Sequence, residues 1–153
     1  MEYGSIHREI YVEASPEVVY DVISSPEHMT EWFPDELTLD PTGRVGEFCW
    51  GDRNAPDVHL AAFTIVEAKP PSRFAFRWVY PDGEAASPTN SLLATFELIP
   101  QGDGTLVRLT ETGFREKGWE VAVLEQEYAG HCEGWDTHLP RLRAYVARLV
   151  ATE

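Results

Sequence analysis

His131 and Glu111 are the two side chains in this sequence best placed to move a proton. His131 lies one turn before Trp135 on a stripe of apolar positions with helical spacing. Glu111 alternates with Val107 and Leu109 along one face of a strand-like run. If both point inward they form a His–Glu pair, and imidazole is the side chain whose charge changes near neutral pH. Such a pair serves equally as a structural ion pair, and His131 alone reads equally well as a core histidine satisfied by a neighbour. Around them stands an unusual number of large rings. Trp32, Phe48, Trp50, Phe76, Trp78, Tyr128 and Trp135, with His131, are the candidate ligand-binding residues, because flat rings supply apolar walls and stacking surface. Each ring taken singly also reads as core filling. Arg8 shares a strand face with Ile6 and Ile10 and either closes one end of a cavity or snorkels to solvent.

Other chemistries find little support. His131 and Cys132 are adjacent and so leave a helix in different directions, while His131 and His138 are two turns apart; neither spacing is that of a metal site. Gly43, Gly46 and Gly51 fit turns and a bulged strand better than a phosphate loop. Cys132 has no nearby base in sequence and Ser91 no flanking nucleophile motif. The sequence therefore carries no catalytic signature, and no metal or cofactor is expected. The formal net charge is −14, and residues 1–40 hold ten Asp or Glu against one base, Arg8. An acidic surface of this kind repels phosphate backbones and anionic lipid, which argues against nucleic acid and membranes as partners. No run of apolar residues is long enough to span a bilayer, and Met1-Glu2-Tyr3-Gly4-Ser5 lacks the features of a secretory signal. With only Cys49 and Cys132 as thiols, a reducing cytoplasm is the expected setting.

The elements that must position these residues follow from periodicity. Leu124, Tyr128, His131, Trp135, Leu139, Leu142, Val146 and Leu149 recur at alternating steps of three and four, the stripe of one long amphipathic helix. Pro140 falls inside it and predicts a kink. Gly130 and Gly134 predict a close approach to another backbone. Residues 5–14 read as a first strand. Ser15-Pro16-Glu17 and Ser25-Pro26-Glu27 each open a short helix, the second carrying Met29, Trp32 and Phe33 before Pro34. From residue 37 to 113 the pattern is mostly period two, with Phe48 and Trp50, then Phe76 and Trp78, then Leu92, Ala94, Phe96 and Leu98 each on one face. Lys69-Pro70-Pro71-Ser72, Tyr80-Pro81-Asp82-Gly83 and Gln101-Gly102-Asp103-Gly104 supply the turns of an antiparallel meander. The run 58–68 is too uniformly apolar for its inward face to be assigned. Residues 80–90 read as a mobile loop at one mouth of the sheet. With 153 residues, one domain over 1–153 is expected.

Several local motifs carry a resemblance. These are Val12-Glu13-Ala14-Ser15-Pro16-Glu17-Val18-Val19-Tyr20, Pro26-Glu27-His28-Met29-Thr30-Glu31-Trp32, Gly43-Arg44-Val45-Gly46-Glu47-Phe48, the segment from Pro70 to Trp78, Gly104-Thr105-Leu106-Val107-Arg108-Leu109, and Gly134-Trp135. Together with the element order, they resemble the START-like (SRPBCC, helix-grip) superfamily and, within it, the activator-of-heat-shock-protein-90-ATPase homologue family. The resemblance implies an α+β helix-grip fold: a curved antiparallel sheet of about seven strands around a long C-terminal helix, with two short helices after the first strand and an apolar cavity between. It also implies a small apolar, aromatic or lipid-like ligand. Two other functions stay open: a cyclase- or hydratase-like cavity enzyme using His131, and an interaction protein acting on a chaperone through its surface. A monomer and a homodimer are both compatible with the sequence.

Overall fold

The computed structural model describes residues 4–81 and 83–151, so the expectations for Met1 to Tyr3 and for Asp82 in its turn lie outside the described residues. In chain order the elements are β1 (Ser5–Val12), α1 (Pro16–Ser24), α2 (Pro26–Met29), β2 (Glu36–Leu39), β3 (Val45–Trp50), β4 (His59–Lys69), β5 (Arg73–Trp78), β6 (Leu92–Gln101), β7 (Gly104–Thr112) and α3 (Val121–Ala151). The strands form one curved antiparallel sheet in the order β1-β7-β6-β5-β4-β3-β2. From β2 to β7 it is a meander; β1 alone crosses over, to pair with β7 from Ser5↔Thr112 to Val12↔Thr105. Among the described residues no helix is long and apolar enough to cross a membrane.

Local chemistry sets the helix starts. The Ser15 hydroxyl caps α1 by accepting from the Val18 amide, and Pro16 occupies the first turn where no amide partner is needed. Val19, Val22 and Ile23 on its inner side are fully buried. α2 is a single turn ending at Met29, so Trp32 and Phe33 lie beyond it and not on it. Trp32 is pinned by its indole N–H donating to the Val22 carbonyl at 3.1 Å. The residues that follow include a strand absent from the sequence reading. β2 is four residues long and largely exposed, too short and too polar to leave an alternation.

β4 explains why its inward face resisted assignment. Its ladder with β5 runs Phe63↔Trp78 and Ile65↔Phe76, then shifts register at a bulge so that Ala68 opposes Phe74. The inward set passes from odd to even positions there.

α3 is continuous through Pro140 and lies against the concave face of the sheet. Leu139, Leu142 and Val146 in its C-terminal half are buried, whereas Leu124, Tyr128 and His131 in its N-terminal half are only partly so. The helix is thus anchored at one end and borders open space at the other. The expected close backbone approach at Gly130 and Gly134 is not there: a Cβ at either would meet nothing within 4 Å. They face a cleft.

Candidate functional site

That cleft has a volume of about 460 Å³ and lies between the N-terminal half of α3 and the ends of β3, β4 and β5. Phe33, Trp50, Trp78 and Trp135 form its apolar wall; His59, Glu127, His131 and His138 bring the polar atoms. Val79, Gly130 and Gly134 complete the lining. Of the ligand-binding candidates named from sequence, Trp50, Trp78, His131 and Trp135 reach this space. Trp32, Phe48 and Phe76 do not, because they sit deeper: each is at most 1% exposed. Phe48 stacks on Phe63 at 4.0 Å between centroids, and Trp32 meets Phe96 edge-on. Tyr128 is turned to the side, its hydroxyl donating to the Ser5 carbonyl at 2.7 Å and its ring packed on Phe114. Arg8 is likewise outside, ion-paired with Asp136 at 2.7 Å on the protein surface.

Beneath the wall is Glu111. Its side chain is fully buried, and three ring nitrogens from two elements converge on it. The Trp78 indole donates to Oε2 at 2.7 Å, the Trp135 indole donates to Oε1 at 2.8 Å, and His131 Nδ1 lies 3.0 and 3.1 Å from the two oxygens. The sequence dictates this convergence. Glu111 and Phe76 are both cross-strand neighbours of Ala94, whose small side chain leaves room for the Trp78 indole to reach across. His131 and Trp135 are one helical turn apart on α3, so both project over the same strands. Two aromatic edges fix the imidazole: Trp78 at 5.1 Å and 74°, Phe114 at 5.5 Å and 84°.

The rest of the wall is ordered in the same manner. Phe33 is parallel to Trp135 within 7° at 5.4 Å. The Trp50 indole donates to the Phe33 carbonyl at 3.0 Å. Val79 has a φ of 61°, a left-handed conformation that a β-branched residue adopts only under constraint. The constraint is Lys117, whose Nζ donates to the carbonyls of Val79 and Asn90 at 2.7 and 2.8 Å. Burial holds the Lys117 ammonium below its ordinary pKa. The segment 80–90, expected as a mobile loop, is thereby tied at both ends, and Tyr80 also bonds the Thr64 hydroxyl at 2.6 Å.

His138 lines the far side, with Nδ1 3.2 Å from the Trp32 carbonyl. Burial lowers its pKa, Arg141 adds to the depression, and the carbonyl bond opposes it. Because the folded value lies below the ordinary 6.5, the unfolded chain binds the proton more readily. The contribution of His138 to stability is therefore complete above that pH and is lost as pH falls through the folded value. Thermal melts between about pH 7 and 5 should fall less steeply for His138→Gln than for the native protein; parallel curves would contradict this.

Sequence reasoning did not name Phe33, His59, Val79, Glu127, Gly130, Gly134 or His138 as site residues. Only the glycines left a signal, as two helix-weakening residues one turn apart. Among the described residues no group of three or more His, Cys, Asp or Glu is placed to hold a metal ion.

Comparison with known proteins places this architecture. A family model described as Activator of Hsp90 ATPase homolog 1-like protein matches residues 13–147. Among solved structures, protein MLL2253 from Mesorhizobium loti is 17% identical, with 94% of this chain and 97% of that one covered and a TM-score of 0.72. The Aha1 dimer from Colwellia psychrerythraea is 16% identical, with 93% and 95% covered and a TM-score of 0.66. DynU16, a protein of the dynemicin biosynthetic locus, is 19% identical with a TM-score of 0.67; 94% of this chain aligns to 47% of that one. No curated protein matches.

Proposed function

We propose that this chain, which belongs to the Activator of Hsp90 ATPase homolog 1-like family, binds one small, flat, largely apolar molecule in the cleft between α3 and the sheet. The observation that carries this reading is the wall itself. Phe33, Trp50, Trp78 and Trp135 surround about 460 Å³, within the range that small-molecule sites occupy, roughly 300–1,000 Å³. The polar groups are few and grouped, as they are where a ligand must be oriented and not merely dissolved. Glu127 at the rim and a formal net charge of −14 favour a neutral molecule over an anion. An occupant of biosynthetic origin also accords with the locus of DynU16, although at 19% identity that relative supports the fold and not the ligand.

The test is a titration with the neutral probe N-phenyl-1-naphthylamine. A saturable rise in probe fluorescence at one equivalent per chain, with energy transfer from tryptophan, is the expected result. Folded protein that gives no saturable signal would overturn the reading.

A further inference from the structure

Binding an apolar guest does not require a buried carboxylate. A charge withdrawn from water costs several kcal/mol unless it is paired, and a leucine at position 111 would serve packing alone. Glu111 is kept and supplied with three N–H partners, one of which is the imidazole that borders the cleft. Resting on the binding reading above, we infer that the cleft catalyses proton transfer: His131 Nε2, backed by Glu111, is a general base acting on a neutral, flat, conjugated substrate with an acidic C–H beside a carbonyl.

The hydrogen-bond inventory assigns the roles. An indole N–H only donates, so Trp78 and Trp135 require both Glu111 oxygens to be acceptors. An ionised carboxylate satisfies them and accepts from a third donor, which makes His131 Nδ1 the protonated nitrogen. In the neutral ring the lone pair is then on Nε2. Among the described residues the one buried side-chain N or O atom without a partner is the Tyr20 hydroxyl. Nε2 has no protein partner among them and is therefore not sealed in, and the His131 side chain, 14% exposed, lines the cleft. The edges of Trp78 and Phe114 hold the ring in that aim. Other titratable groups on the lining are Glu127, His59 and His138, and His138 has its Nδ1 engaged by the Trp32 carbonyl.

The reaction balances with no co-reactant. Nε2 takes the proton from the carbon next to the carbonyl. The C–H electron pair becomes a C=C bond, and the carbonyl π pair moves to oxygen. The imidazolium, stabilised by Glu111 beneath it, returns the proton to that oxygen. Substrate and product are isomers, and the base is regenerated. Ring walls give the nascent enolate an apolar surround while the indoles keep the carboxylate fixed throughout.

The assay uses 5-nitrobenzisoxazole, a flat bicycle that opens when a base removes its C3 proton. The C–H pair forms the nitrile, the N–O bond breaks, and a coloured nitrophenolate leaves. Native protein should open it with saturation kinetics. His131→Gln and, with ring packing preserved, His131→Phe should each lower kcat by about 100-fold or more, read at saturating benzisoxazole so that any change in affinity is seen separately in KM. If benzisoxazole displaces the naphthylamine yet is not opened, or if both variants open it at the native rate, the catalytic inference fails and the binding reading stands. If native protein binds no naphthylamine, both fall together.

Discussion

Glu111→Leu lowers the stability of this protein by about 3 kcal/mol or more, the cost of taking the shared acceptor away from three buried donors. The leucine fills the space with no strand disrupted, so the loss comes from the donors left behind. Both indole N–H groups and the His131 imidazole face the vacated position, and each orphaned donor costs about 1–3 kcal/mol when water cannot reach it. Glu111→Gln separates this account from simple packing. The glutamine carbonyl still accepts from one indole, but its amide turns N–H toward the other donor. A smaller loss than for leucine is expected, measured as the urea midpoint with an unchanged slope. Equal midpoints for native protein and both variants would mean that the carboxylate does not organise Trp78, Trp135 and His131.

The same residues show how far sequence alone reaches. The fold was legible because two periodicities meet: alternation for the strands, and the three-four stripe from Leu124 to Leu149 for α3. The Glu111–His131 juxtaposition was legible for the same reason, since one residue falls on the inner face of a strand and the other on the inner stripe of the helix. Depth was not. Period two places Phe48, Phe76 and Trp78 on the same concave surface, yet only Trp78 meets the cleft, because depth depends on where α3 parts from the sheet. Gly130 and Gly134 widen the space there by presenting no side chain to it, whereas in a sequence they look like a tight contact. A loss of alternation also hid the inward face of β4, where a bulge between Ile65 and Glu67 changes the phase. Phe33 escaped because it lies past a one-turn helix, in a segment where neither period applies.

Those glycines supply the sharper test of where a ligand sits. Trp135→Ala is a poor probe of the cleft. The indole is 2% exposed, stacks on Phe33 and donates to Glu111, so its removal costs about 3–5 kcal/mol of core stability and confounds binding with folding. Gly134→Leu works in the opposite sense. Position 134 is inside α3, where glycine weakens the helix by about 1 kcal/mol relative to better helix formers. A Cβ there meets nothing within 4 Å, so the leucine enters the cleft without displacing the backbone. The variant should melt at or above the native temperature and bind N-phenyl-1-naphthylamine at least about 100-fold more weakly, since overfilling a site costs more than one contact gains. Stability and binding then move in opposite directions, which a disturbed fold cannot imitate. A Gly134→Leu protein that binds the naphthylamine as tightly as the native chain would place the ligand elsewhere than between α3 and the tryptophans of β3 and β5.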